Sequence, residues 1–263
     1  MKYVLITGAY GGMGKQTAKA FVEKGFGVIA LDQRIGEAEK GLIPIAVDIT
    51  DEESVSRAFH SVCAITDSLE GIIHFAGMYL LDSLVEMEHS TFRRAFEVNL
   101  FGAALINRTF LPLLKENSRV IITTSELAPL SPLPFTGLYA VTKSALDQYA
   151  YSLGMELQLR GISVSVLRAG AVDTGMLDVS TDALSAFCQQ TKLYSCNAER
   201  FRKIVEGVEA RRIAPARIAE KTLKIFFAKH PKFAYAMNRN PLLLLLEALP
   251  VRMRFFVIRK ILK

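Results

Sequence analysis

Thr7-Gly8-Ala9-Tyr10-Gly11-Gly12-Met13-Gly14 stands between the apolar run Tyr3-Val4-Leu5-Ile6 and a helical pattern that brings Thr17, Ala18, Phe21 and Val22 to one face. A short apolar run of this kind reads as a strand buried on both sides, as in a parallel sheet. Glycines at 8, 12 and 14 permit a tight turn and let backbone approach a pyrophosphate, while amides at the helix start point at anionic oxygens. Glycine clusters are common in turns, but here a strand and a helix flank the cluster in the required order. Gly25 stops the helix, and Gly27-Val28-Ile29-Ala30-Leu31 is the next strand. Strand, helix and strand fit within about 32 residues, the size of one mononucleotide-binding unit.

The alternation continues. Leu42 to Val47 and Gly71 to Phe75 read as strands, with a short acidic helix opening at Asp51-Glu52-Glu53-Ser54 and Thr50 as its expected cap. About eleven residues separate the second and third strands, so that crossover helix must be short or missing. A long helix is expected from about Ser90 to Leu114, bent at Pro112. Arg119 to Thr123 is a strand, Tyr139 to Arg160 a helix, and Ile162 to Leu167 a strand. Strands alternating with helices imply an α/β fold, a parallel sheet with helices on both faces. Residues 1–240 are expected to form one such domain and 241–263 a tail. The region 173–200 has no clear pattern and lies where a lid or substrate loop belongs; its apolar residues include Met176, Leu177, Leu184, Phe187 and Leu193.

The chain has 263 residues, of which 51% are apolar and 22% charged, enough for a sizeable core and unlike a disordered chain. No stretch reaches the roughly 18 uninterrupted apolar residues of a membrane span, and no signal peptide is expected. Three scattered cysteines, Cys63, Cys188 and Cys196, argue against a disulfide framework or zinc ribbon and fit a reducing, cytoplasmic setting. No metal site is expected. Charge is lopsided: residues 1–198 carry a net −5 and residues 199–263 a net +11, which suggests an anionic surface or ligand for the C-terminal part, or a solvated helix face. The basic residues sit beside apolar ones without a nucleic-acid motif, so nucleic acid is not an expected partner.

Asp32 closes the second strand. A carboxylate there accepts both ribose hydroxyls of an adenosine and repels a 2′-phosphate, which favours NAD over NADP. Arg34, two residues on, can instead pair with that phosphate. Asp48 follows the third strand and can bind the adenine amine; it reads equally as an ordinary acid ahead of a helix. Tyr139 and Lys143 are spaced to share one helix face. An ammonium near a phenol is expected to lower its pKa from about 10 and make it a usable general acid and base. Ser125 ends the preceding strand, and Asn99 lies in the helix before it.

In order and spacing, Thr7-Gly8-x-x-x-Gly12-x-Gly14, Asp48, Ala76-Gly77, Asn99, Ser125, Tyr139-x-x-x-Lys143, and Gly170 with Thr174 resemble the short-chain dehydrogenase/reductase family, over residues 1 to about 176. The resemblance implies a doubly wound, Rossmann-type sheet of about seven strands and hydride transfer between nicotinamide and a secondary alcohol or ketone. By position, Tyr139 would exchange the proton, Ser125 would orient the carbonyl, and Lys143 would hold the nicotinamide ribose. Asn99 would support a water-linked relay from Lys143, and Thr174 with backbone near Val172 would contact the carboxamide. The cofactor set is Gly8, Tyr10, Gly11, Gly12, Met13, Gly14, Asp32, Asp48, Ile49, Ala76, Gly77, Tyr139, Lys143, Val172 and Thr174. Family members often form dimers or tetramers, so a homo-oligomer is expected.

The sequence departs from the family pattern in places. His74-Phe75 replaces a pair of asparagines, and His74 reads as a packed residue. Ala169-Gly170 replaces Pro-Gly, which is expected to loosen that turn. Pro129, Pro132 and Pro134 stiffen the segment between Ser125 and Tyr139. The ending, Pro241 to Lys263, mixes a leucine run with Arg252, Arg254, Arg259, Lys260 and Lys263. It reads as an amphipathic basic helix that lies on an anionic membrane, docks on its own domain or meets a sister subunit. It is similar to the ending of hydroxysteroid and retinol dehydrogenase-like members, which implies a lipophilic substrate. A non-catalytic NAD(P)-sensing interaction protein and a peripheral membrane protein are the competing readings.

Overall fold

The computed structural model describes residues 1–209 and 212–263. Side chains of residues 175–182, 208 and 209 lie outside the described set, Met176 and Leu177 of the expected lid among them. Seven parallel strands form one sheet in the order β3-β2-β1-β4-β5-β6-β7. They are β1 (Tyr3–Thr7), β2 (Gly27–Asp32), β3 (Leu42–Ala46), β4 (Leu69–His74), β5 (Leu114–Ser125), β6 (Ser163–Ala169) and β7 (Ala234–Met237). Alternate residues enter opposite layers. Leu5, Ile29, Leu31, Ile72, Val120 and Ile122 face a core shared with α2 (Glu52–Cys63), α4 (Gly102–Phe110) and α5 (Gly137–Leu157). Val4, Ile6, Val28, Ala30, Ile73 and Ile121 face a core shared with α1 (Gly12–Glu23) and α8 (Pro215–Phe226). Phe21, Phe26 and Phe226 meet edge to face in that second layer, 4.9–5.7 Å between centroids. Both faces are thus covered, which is why the strands read as nearly continuous apolar runs.

The β2–β3 connection carries no helix, as its length required. β3 is an edge strand with Pro44 at its centre, and β7 at the opposite edge has four residues. Several boundaries differ from expectation. Asp51, not Thr50, caps α2, its carboxylate accepting from the Glu53 amide. The long helix does not run to Leu114 or bend at Pro112. It divides into α3 (His89–Phe96), a π-helical turn Glu97–Phe101 and α4, and Pro112 falls in a 3₁₀ turn beyond α4. The disturbance belongs at Asn99, whose side chain is used in the site. Region 173–200 is helical, as α6 (Gly175–Gln190) and the start of α7 (Ser195–Glu209). At the Ala169-Gly170 turn, Gly170 N–H donates to the Met237 carbonyl at 2.9 Å, and Glu126 N–H to the Ala169 carbonyl at 2.9 Å.

Residues 241–263 form α9 (Pro241–Glu247) and α10 (Val251–Leu262). Leu262 is buried in a small cluster with Phe135, Leu184, Phe187 and Phe201, and Asn197 Nδ2 donates to its carbonyl at 2.6 Å. Ser131 donates from its amide and hydroxyl to Glu247, both at 3.0 Å, and Arg254 closes on Glu247 at 2.7 Å. The tail therefore docks on its own chain. No helix among the described residues is long and apolar enough to cross a membrane.

His74, at the end of β4, is buried in a polar network. Its Nε2 lies 2.9 Å from Asn107 Oδ1 and its Nδ1 3.5 Å from the Thr7 hydroxyl, while Asn107 Nδ2 donates to the Tyr149 hydroxyl at 3.3 Å. Burial pulls its pKa down to about 4, so the ring is neutral and structural. The unfolded chain binds that proton near pH 6.5 and the folded chain only near 4. Stability contributed by the neutral ring is therefore full above pH 6.5 and declines as pH falls toward 4. Urea midpoints measured across that window fall for the native chain. The fall is shallower in His74→Gln, by a difference of about 1–3 kcal/mol.

Candidate active site

β1 and β4 are neighbours although four elements separate them in sequence, so the winding of the sheet reverses between them. Ligands of open α/β sheets bind in the cleft beyond the strand ends at such a point. Gly8, with φ of +65°, turns the chain so closely past β4 that an added Cβ would lie 2.6 Å from the Ala76 nitrogen. A Cβ on Gly12 would lie 2.6 Å from Thr174 Cγ2, and one on Gly14 would strike the Gly8 carbonyl. Gly11 N-caps α1 with no side chain bonded to it, and Met13 follows in the first turn. Amides here are available to an anion.

Asp32 accepts from the Tyr10 amide at 3.0 Å and the Arg34 amide at 3.3 Å. It thereby ties the glycine loop to the end of β2 and keeps further acceptor capacity for hydroxyls. The Tyr10 ring packs under Gly36, and its hydroxyl is buried without a hydrogen-bond partner among the described residues. Asp48 accepts from the Thr50 amide at 2.9 Å and hydroxyl at 2.6 Å, with Arg94 3.8 Å away. Against the cost of burial, Thr50 and Arg94 hold its carboxyl below the ordinary range. The Ile49 side chain is buried in the core against Gly102.

Ser125 ends β5 and Tyr139 lies in the first turn of α5, both buried, and the Ser125 side chain lies near enough to the phenol to work against the effect of burial on it. Lys143, one turn further on α5, places Nζ 5.9 Å from the Tyr139 ring centre. Asn99 is buried in the π turn, a feature often found at functional sites. Its Oδ1 accepts from Met78 N–H at 2.7 Å, and its Nδ2 donates to the Met78 carbonyl and the Thr142 hydroxyl, both at 3.0 Å. An added Cβ on Gly77 would sit 3.1 Å from Lys143 Nζ and 3.2 Å from Asn99 Oδ1. Glycine there lets the lysine and asparagine close over the strand end.

The ionisation expected from the sequence is reversed. Burial pushes Tyr139 up to about 12, with the Ser125 side chain opposing it, and pulls Lys143 down to about 8. Removing water from both groups outweighs the attraction between an ammonium and a phenolate across this separation. At neutral pH the phenol holds its proton, and the lysine stays charged with little margin.

A cavity of about 220 Å³ opens on Ser125 and Tyr139, with Met13, Val172 and Thr174 in its wall. Val172 forms a parallel bridge to Ile213, made by the Ala171 carbonyl and the Asp173 amide. Val172's own N–H and C=O therefore face away from Ile213. The apolar wall comes from Phe201, Ile204 and Val205 of α7 and Leu243 of α9. The expected lid residues do otherwise: Leu184 and Phe187 are packed into the cluster beneath, and Leu193 is exposed. Sequence reasoning also missed Tyr79, stacked edge-on to Tyr139 at 4.7 Å, and Thr142, which anchors Asn99. It missed Glu126, a buried carboxyl accepting from Asn240 N–H at 2.6 Å, although its place beside Ser125 was a signal.

Residues 2–184 match the family profile described as short chain dehydrogenase. The chain belongs to the short-chain dehydrogenase/reductase family. This dehydrogenase is 30% identical to the uncharacterized oxidoreductase YbbO of Escherichia coli strain K12 over 246 residues, 90% of this chain and 86% of that protein. It is 27% identical to 3-ketodihydrosphingosine reductase of Bacteroides thetaiotaomicron over 231 residues, 88% of this chain and 85% of that protein. A solved 3-ketoacyl-(acyl-carrier-protein) reductase from Brucella melitensis, complexed with NADH, shares the fold at a TM-score of 0.73 and 22% identity, over 90% of this chain and 96% of that one. The protein is thus an NAD(P)-dependent oxidoreductase. Its residues fit such a cofactor: the loop is closed to any Cβ at 8, 12 and 14, and the Tyr10 hydroxyl beside it lacks a partner among the described residues. Gly12→Ala must displace Thr174, so NADH affinity measured by fluorescence titration falls roughly tenfold. The loss is smaller when the same change is made in a Thr174→Gly background.

Proposed function

We propose that this short-chain dehydrogenase interconverts a secondary alcohol and a ketone of lipophilic character, with NAD as its preferred cofactor. The observation that carries the reading is the buried Ser125–Tyr139 pair with Lys143 behind it, opening on an apolar cavity. Bound nicotinamide supplies or accepts the hydride. Tyr139 gives its proton to the oxygen of a ketone as it becomes an alkoxide, or takes the proton of an alcohol. The Ser125 hydroxyl donates to that oxygen and orients it. Lys143 holds a nicotinamide ribose and keeps positive charge beside the phenol. Asn99 positions the Ala76–Met78 segment against Lys143 and supports a water-linked relay from it. Thr174 and the backbone of Val172 take the carboxamide, and Gly8 to Gly14 the pyrophosphate. Asp32 takes the adenosine ribose, with Asp48 and Ile49 at the base. The neutral phenol and charged lysine of the free protein suit proton donation, which is the reductive direction.

Support for a lipophilic substrate comes from Phe201, Ile204 and Leu243 in the wall, and from the lipid substrate in the name of the Bacteroides relative. Exposed Leu245 and Phe256 beside exposed Arg252, Arg259 and Lys260 suit contact of residues 241–263 with an anionic membrane surface.

Tyr139→Phe lowers ketone reduction by at least about a hundredfold and leaves NADH binding within about twofold; retained turnover would remove the assigned role. In the native protein kcat/KM for reduction is flat at neutral pH and falls as pH rises through about 8, when Lys143 loses its charge. A profile flat well beyond that pH contradicts the lysine's part. NADH binds more tightly than NADPH, and Asp32→Ala narrows the difference; equal affinities in the native protein would exclude Asp32 as the selector.

A further inference from the structure

The cavity at Ser125 and Tyr139 is smaller than the 300–1,000 Å³ that small-molecule sites usually occupy, although its wall already includes Met13 and Thr174 from the cofactor side. It holds the reacting end of a substrate and little more. A second space of about 810 Å³ adjoins it, between the segment 127–137 and the two tail helices. Leu127, Leu133 and Leu243 belong to the walls of both. The larger space is mostly apolar, with Leu130 and Pro134 on the loop side and Leu246, Val251, Phe255 and Ile258 on the tail side. The Glu247–Arg254 ion pair and its bonds to Ser131 clasp the two sides together. Exposed Arg259 and Lys263 also line it.

We propose that this groove binds the hydrocarbon chain of the substrate, and that the substrate is a long linear aliphatic compound whose carbonyl lies at Ser125 and Tyr139. This rests on the oxidoreductase reading of the same site. Among the described residues, Leu127, Leu133 and Leu243 are all that the two walls have in common, and a flexible chain adapts to a route past three side chains more readily than a rigid fused-ring body. The occupant follows from that shared wall: an apolar space set against a catalytic cavity suits the part of the same ligand that the cavity is too small to hold. The tail helices are then part of the substrate site.

The test uses the full chain with NADH and a homologous series from methyl ethyl ketone to methyl undecyl ketone, together with saturation binding of a fluorophore-labelled stearate. Each methylene buried in the groove raises kcat/KM by roughly fourfold until the groove is full. The labelled stearate binds saturably and is displaced by methyl undecyl ketone. Ile258→Trp on the tail side and Leu130→Trp on the loop side each fill the groove, and each lowers the long-chain to short-chain ratio of kcat/KM at least tenfold. NADH titration of both variants shows that they are folded. Reduction of methyl ethyl ketone with no gain along the series and no saturable stearate binding overturns the groove assignment and leaves the catalytic reading standing. Stearate binding that neither variant weakens also overturns it, because the probe is then elsewhere. Saturable binding weakened by both variants, with no ketone reduced, supports the groove and removes the proposed reaction.

Discussion

Backbone lying against backbone at the ends of β1 and β4 is the constraint on which the site depends. Gly8 passes the Ala76 nitrogen at a distance that excludes any side chain, and this closeness is possible because the winding of the sheet makes the two strands neighbours. From that point the other parts fall into reach. The Ala76–Met78 segment leaves β4 toward Asn99, and Asn99 fastens it to Thr142 on α5. The same helix carries Tyr139 and Lys143. One tight crossing thus sets the position of cofactor loop and proton-transfer groups together.

The chemistry of the pair Tyr139 and Lys143 is governed by water exclusion more than by mutual attraction. Both groups are driven toward their neutral forms, the phenol upward and the ammonium downward. A site built this way is poised: charge introduced beside it meets little screening and shifts both groups strongly. The Ser125 side chain is the local group that opposes burial at Tyr139.

Much of this was legible because it depends on short spacings. The glycine loop between Ile6 and Thr17, the one-turn separation of Tyr139 and Lys143, and the alternation of apolar runs with helices all survive in the folded chain. What escaped depends on tertiary demand. The π turn at Glu97–Phe101 has no mark in its own residues; it places Asn99 where Met78 and Thr142 need it. Pro112 is the stronger local breaker, yet α4 has already ended before it. The reversed pKa direction at Tyr139 follows from burial by many elements at once, which no spacing reports. The wall formed by α7 and α9 comes from segments whose composition suits simple packing equally well.

The two edges of the sheet have a further consequence. Pro44 removes a donor from the middle of β3, and β7 offers only four residues. Neither edge is a good template for adding another strand. Growth of the sheet across molecules is therefore discouraged at both ends, and any self-association must use helix faces, where side-chain shape decides the partner. In a chain with a mostly apolar core and several exposed phenylalanines, that arrangement removes strand pairing as a route to aggregation.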